Sequence, residues 1–242
     1  MQKNKLDIIF ENEQFLAINK PAGLLTIPDR HDDTISSLYK SLQHQYQKIF
    51  IVHRLDRETS GVILFAKDEV THKYLSQLFE QRNVEKYYQG IVQGQLQNKN
   101  GTVDEPLMEH PVKKGMMMVH AKGKPSVTDY EVLEEYGIYS LVQFQIHTGR
   151  THQIRAHMKH LGHPIVCDEI YGDAKPILLS SFKKKFKLSR HDEEERPMLN
   201  RLGLHSYQLK FKDQHNNQHD LIAELPKDMR ALLQQLKKNR GS

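Results

Sequence analysis

Residues 53 to 66 read His53-Arg54-Leu55-Asp56-Arg57-Glu58-Thr59-Ser60-Gly61-Val62-Ile63-Leu64-Phe65-Ala66. The stretch from Gly61 to Ala66 is an apolar run of strand length behind a Thr-Ser-Gly turn, which predicts a buried strand. The polar residues before it set one carboxylate, Asp56, among Arg54, Arg57 and His53. Nearby positive charge favours the ionised form of a carboxyl group. A carboxylate kept ionised suits a nucleophile or an electrostatic partner better than a general acid.

Strand and helix patterns alternate irregularly on both sides of this stretch. Ile8-Ile9-Phe10 and Phe15-Leu16-Ala17-Ile18 predict a hairpin, and Lys20-Pro21-Ala22-Gly23 then breaks the pattern. Thr34 is the expected cap of a helix burying Ile35, Leu38, Tyr39 and Leu42. A second helix is expected to bury Val70, Tyr74, Leu75 and Leu78. Strands are expected over 87–92, in a pair within 126–147 turning at Glu135-Tyr136-Gly137, and over 204–211 and 221–225. A last helix starts at Pro226 and buries Met229, Leu232, Leu233 and Leu236. Consecutive strands with interspersed helices predict an α+β fold with a mixed, mostly antiparallel central sheet flanked by helices.

The chain has 242 residues, room for one large domain or two small ones, and no internal repeat. One domain over 1–242 is expected. Apolar content of 38% and charged content of 27% fit neither a disordered chain nor a membrane protein. The N-terminal residues lack the apolar core of a signal peptide. A single cysteine, Cys167, forbids an intrachain disulfide, and the expected location is the cytoplasm. A net charge of +5 is compatible with a polyanionic partner. The histidines around the two best motifs are placed to donate to phosphates or base edges.

Residues 147 to 164 form the second motif, His147-Thr148-Gly149-Arg150-Thr151-His152-Gln153-Ile154-Arg155-Ala156-His157-Met158-Lys159-His160-Leu161-Gly162-His163-Pro164. It predicts a strand, a tight turn at Gly149 and a short helix capped by Thr151. Ile154, Met158 and Leu161 make its apolar stripe, and Gly162 and Pro164 end it. The helix start, with Arg150 alongside, is an anion site in outline. Arg155 could reach back over the sheet toward a buried carboxylate. A metal is not expected: His157, His160 and His163 spread around a helix, and no zinc pattern accompanies them. Cys167 lacks an oriented base for a nucleophilic role. Residues 173–201 break the order with a basic block, Phe182-Lys183-Lys184-Lys185-Phe186-Lys187, then an acidic one, His191-Asp192-Glu193-Glu194-Glu195-Arg196. They read either as a solvated loop of self-cancelling charge or as a mobile arm whose Phe and Lys residues grip RNA.

Together these motifs resemble the RluA family of RNA pseudouridine synthases over nearly the whole chain. Asn19-Lys20-Pro21-Ala22-Gly23-Leu24 is similar to the family's first motif, and His53-Arg54-Leu55-Asp56 with Thr59-Ser60-Gly61 to its catalytic motif. Lys86-Tyr87-Tyr88 is similar to its Lys-x-Tyr segment, and Thr148 to His157 to its third motif. The resemblance implies isomerisation of uridine to pseudouridine in structured RNA, ribosomal or transfer, by a base-flipping monomer without metal or cofactor. It makes Asp56 the catalytic carboxylate, Tyr88 the tyrosine under the base and Arg155 the basic partner of the aspartate. Arg54 would help displace the base from its stack, and Lys20, Arg150 and His152 are expected RNA contacts. Many family members carry an N-terminal S4-type domain, for which the residues before Lys20 leave no room, so substrate choice is expected to rest on the catalytic domain. Two alternatives compete. A non-catalytic RNA-binding or assembly factor would not need Asp56, Tyr88 and Arg155 together. A glycoside hydrolase needs a second carboxylate across a cleft, and Glu58 is a poor candidate.

Overall fold

The apolar run behind Asp56 is a strand in which every residue from Ser60 to Ala66 is buried. The structure, a computed structural model, describes residues 6–32, 34–188 and 193–239. In chain order the elements are β1 (Ile8–Glu11), β2 (Phe15–Lys20), α1 (Leu38–Gln43), β3 (Phe50–Ile51), β4 (Ser60–Ala66), α2 (Glu69–Glu80), β5 (Glu85–Gln93), β6 (Asn100–Asp104), β7 (Leu107–Glu109), β8 (Met117–Val119), β9 (Val127–Glu135), β10 (Tyr139–Ile146), α3 (Gln153–His160), a single 3-10 turn (Leu179–Ser181), β11 (Leu204–Lys212), β12 (Gln218–Ile222) and α4 (Lys227–Lys238). Pairing is mixed but mostly antiparallel, as the α+β expectation requires. The chain divides into two compact units: Met1–Tyr88 with His205–Glu224, and Gln89–Leu204 with Leu225–Ser242.

In the first unit β1, β2, β4 and β11 lie side by side, with β12 on β11 and β3 on β4. The expected hairpin forms between β1 and β2. Val62, Leu64 and Ala66 enter a core with Phe15, Ala17, Leu75, Leu209 and Phe211. Ile63 and Phe65, at the alternate positions, are equally buried. A strand covered on both faces has no polar positions to show, which is why its sequence is a run rather than an alternation. The pairing of β4 with β11 is parallel and puts Ser206 opposite Gly61. Gly61 has φ +114°, and a Cβ there would stand 2.1 Å from the Ser206 carbonyl oxygen. Only glycine allows that approach.

In the second unit the part of β5 from Gln89 on begins the strand order β5, β10, β9, β6, and β7 and β8 form a separate ribbon. α4 lays Met229, Leu232 and Leu236 onto a core containing Ile91, Val166 and Leu199. The strands β6 to β8 escape sequence reasoning because their residues are largely polar or half-exposed, with Val103 and Leu107 the buried positions.

Several local expectations change. Ser37, whose Oγ accepts from the Lys40 N–H, caps α1; Thr34 instead donates to Asp32. Val70 is exposed on α2, which Asp68 caps through the Thr71 N–H. The N-cap of α3 is His152 in a left-handed conformation, not Thr151, and Leu161 lies exposed past the helix end. The 173–201 segment is pinned at its base by an antiparallel bridge between the buried Ile177 and Leu199. Phe182 and Met198 pack on the core of this unit, so Phe182 is an anchor rather than an RNA-facing ring. His191 and Asp192 lie outside the described residues. No described helix is long and apolar enough to cross a membrane.

Candidate active site

In the first unit the Asp56 segment connects β3 to β4 and is stitched to the Lys20–Thr26 segment. The Thr26 hydroxyl donates to the Leu55 carbonyl at 3.0 Å and accepts from the Leu55 N–H at 3.2 Å. The Gly23 N–H donates to the Arg57 carbonyl at 2.9 Å, and Arg57 Nε returns a bond to the Gly23 carbonyl at 3.1 Å. Lys20 Nζ donates to the carbonyls of Pro21, Leu24 and Arg57 at 3.1, 2.8 and 2.9 Å. The backbone on both sides of Asp56 is thus fixed from a segment thirty residues upstream, while Asp56 itself stays half-exposed. This corrects the expectation for Lys20. It is wholly buried, and its ammonium gathers carbonyls in place of water, so it has no face to offer a phosphate. Arg54 is exposed, as an RNA contact must be.

His53 is not one of the positive charges around Asp56. Its ring stacks on Phe79 with centroids 4.3 Å apart, and its Nε2 accepts from the Leu64 N–H at 3.1 Å. A ring nitrogen that accepts is unprotonated. Burial, helped by the Lys86 charge, pushes the imidazole down to about 3. The folded value lies below the unfolded one of about 6.5, so the unfolded chain holds the extra proton between them. Stability through His53 is therefore full above pH ~6.5 and falls as the pH drops toward 3, by at most about 1.4 kcal/mol per pH unit. His53→Gln, which keeps an acceptor for Leu64, should show a shallower loss of unfolding free energy between pH ~6.5 and ~4.5. Urea titrations at several pH values check this, and identical slopes would contradict it. A residual slope is expected from the buried His157, which burial also pushes down.

Tyr88 and Tyr87 point to opposite faces of β5, as strand geometry demands. Tyr87 is half-exposed and donates to Glu85 at 2.7 Å. Tyr88 is buried and hydrogen-bonded to Ser206, whose Oγ also donates to the Val62 carbonyl at 3.1 Å. Burial and then the Asp56 charge push the Tyr88 phenol above its ordinary range, with the Ser206 bond opposing them. The Asp56 carboxylate is therefore close enough to Tyr88 for its charge to be felt, and the phenol keeps its proton at neutral pH. Beside them Ser60 Oγ bonds His205 Nδ1 at 2.8 Å, and His205 Nε2 donates to the Ala223 carbonyl at 2.9 Å. Sequence reasoning missed Thr26, His205 and Ser206. The only signal for Ser206 is its place in a strand pattern, opposite a glycine far away in sequence.

In the second unit the Thr148–His152 turn is organised by Gln153. Its Oε1 accepts from the Thr148 hydroxyl at 2.7 Å and the Arg150 N–H at 3.1 Å. Its Nε2 donates to the Val127 carbonyl and to Thr128 Oγ1, both at 2.9 Å. Arg150 donates to the Pro125 carbonyl at 3.2 Å, and His152 Nδ1 lies 3.1 Å from the Tyr171 hydroxyl. Both keep some exposure. Arg155 does reach a buried carboxylate, and it is Asp168: Nε meets Oδ2 at 2.7 Å and Nη2 meets Oδ1 at 2.8 Å. The N–H groups of Ile170 and Tyr171 also donate to Asp168 Oδ1, and the guanidinium lies over the Tyr171 ring at 5.1 Å. Burial opposes the charged form of Asp168, but Arg155 and these N–H groups outweigh it and hold the carboxyl below its usual range. His157 bonds Thr128 and the Glu105 carbonyl, and no metal-ligating cluster occurs among the described residues. Cys167 is buried, and burial pushes its thiol up to about 11, the opposite of an activated nucleophile.

The model of the RNA pseudouridylate synthase family matches residues 14–160, a span holding Asp56, Tyr88 and Arg155. The chain belongs to that family. Ribosomal large subunit pseudouridine synthase D of Buchnera aphidicola subsp. Acyrthosiphon pisum is 36% identical over 235 residues, 94% of this chain and 72% of that protein. The protein of the same name from Escherichia coli (strain K12) is 38% identical over 173 residues, 69% of this chain and 52% of its own length. The chain thus spans between 52% and 72% of these two relatives. Among solved structures, human RNA pseudouridylate synthase domain containing 1 superposes with a TM-score of 0.73 at 25% identity, covering 100% of this chain and 97% of that one. Human RNA pseudouridylate synthase domain containing 4 gives 0.72 at 26%, covering 96% and 93%. Pseudouridine synthases are isomerases, and the α+β fold is theirs.

Proposed function

We propose that this chain isomerises uridine to pseudouridine in large-subunit ribosomal RNA, acting as a cytoplasmic monomer with Asp56 as the catalytic carboxylate. The observation that carries the reading is the Asp56 loop, its backbone clamped on both sides by the Lys20 and Thr26 side chains, with the Asp56 charge felt by the buried Tyr88. Ribosomal rather than transfer RNA is favoured by the names of the relatives.

The reaction breaks the N1–C1′ bond, turns the uracil and joins C5 to C1′. The C5 proton leaves, N1 gains one, and no electron is gained or lost overall, so no redox cofactor is needed. Asp56 serves the bond cleavage, by attacking the sugar or by promoting elimination. A uridine in a stem must leave its stack to reach such a residue, at a cost of a few kcal/mol. Exposed Arg54 fills the gap, and Tyr88 lies under the base. In the second unit Arg155 is the basic residue that the family resemblance implies, its plane fixed by Asp168. Arg150 and His152 contact the RNA backbone. Pseudouridine mapping of ribosomal RNA from cells with and without the gene tests this. Loss of one or more large-subunit pseudouridines with the gene is expected, and an unchanged map would count against it.

A further inference from the structure

The basic block at 182–187 is held in a definite orientation. Its base is the Ile177–Leu199 bridge, and the Ser180 N–H donates to Glu195 Oε1 at 2.8 Å. Phe182 turns inward onto the core, and Phe186 is half-buried, while Lys183, Lys184, Lys185 and Lys187 all stand exposed. Lys185 takes a left-handed φ of 59°, which makes the turn between the two aromatics. Among the described residues, Glu193, Glu194 and Glu195 make no ion pair with the lysines. Among the described residues none of the four makes an ion pair, and Glu195 is committed to Ser180. The described residues therefore show no direct pairing that would cancel the lysine charge. Four ammonium groups within five residues repel one another in the free protein, and a polyanion relieves that repulsion.

We propose that Lys183, Lys184, Lys185 and Lys187 form a phosphate-binding turn that adds sequence-independent affinity for the RNA substrate. The inference rests on the RNA-modifying function proposed above. Phosphates position an RNA without reading its bases, so the turn should change affinity and leave the chemical step alone. Deleting the loop is a poor test, since it would remove the Phe182 anchor and the Ser180–Glu195 bond.

The informative variant replaces all four exposed lysines by glutamine in the full chain. Binding to a large-subunit ribosomal RNA fragment is measured from low to moderate salt, with tritium release from RNA labelled at uracil C5 as the activity readout. Each lost phosphate contact lowers the slope of log affinity against log salt by roughly 0.7 to 0.9. The variant should lose a slope of about 3 and bind at least ~10-fold more weakly at low salt, with its rate at saturating RNA unchanged. An unaltered slope and dissociation constant would overturn the proposal, as would lysine-dependent binding to phosphatidylserine vesicles without any effect on RNA. Tritium release by the unaltered protein reports the reaction separately, so an inactive protein counts against the proposed function and the salt slope against the turn.

Discussion

Replacing Asp56 by asparagine is expected to lower the rate of pseudouridine formation by at least about three orders of magnitude while leaving RNA affinity within a few-fold. The substitution keeps the size and shape of the side chain. The bonds from Thr26, Thr59 and Lys20 that hold the loop run to the backbone of Leu55, Asp56 and Arg57. The folded loop should therefore survive, and what is lost is the negative charge. An amide is a far weaker nucleophile and base than a carboxylate, so the chemical step fails. RNA affinity comes mainly from cations on phosphates, and removing one negative charge from the site does not weaken it. Gel-shift and single-turnover measurements on one preparation separate the two effects. Turnover by Asp56→Asn near the original rate would remove Asp56 from the chemistry.

The second large effect is on stability. Asp168→Ala is expected to destabilise the protein by roughly 3–5 kcal/mol, because it breaks a buried, bidentate ion pair by removing the carboxylate that holds the Arg155 guanidinium. Both partners are almost wholly buried, at 6% and 0% side-chain exposure. The truncation also takes the acceptor from the Ile170 and Tyr171 N–H groups. The pair carries a pH signature. The folded carboxyl lies below its unfolded value, so its contribution is present above pH ~4 and is lost as the pH falls through the lower folded value. Urea unfolding at neutral pH measures the loss, and a change under ~1 kcal/mol would show that the pair is not a structural keystone.

The legible parts of the fold are those where burial repeats along the chain. The run from Val62 to Ala66 and the stripe of Met229, Leu232 and Leu236 each declare an element, because one periodicity satisfies both backbone and core. The weak strands β6 to β8 have no such repeat and stay hidden. In the site, Asp56 and Tyr88 stand out by residue type and order, while their neighbours mislead. Adjacent residues on an extended chain point in different directions, so His53 turns to Phe79 and Leu64 rather than to Asp56. Lysine is almost always at the surface, and nothing local announces that Lys20 will find three carbonyls, one of them from Arg57. Asp168 carries a faint signal, an aspartate whose side chain caps its own turn at Ile170 and Tyr171. Its partnership with Arg155 is tertiary and was invisible as such.

The most direct measurement of the central claim uses a large-subunit ribosomal RNA transcript carrying tritium at uracil C5, incubated with purified protein and with its Asp56→Asn variant. Joining C5 to the sugar must expel that tritium. Release by the unaltered protein, with none above background from the variant, is the result expected. Tight binding of the transcript without any release by the unaltered protein would contradict the account and leave an RNA-binding chain without the reaction.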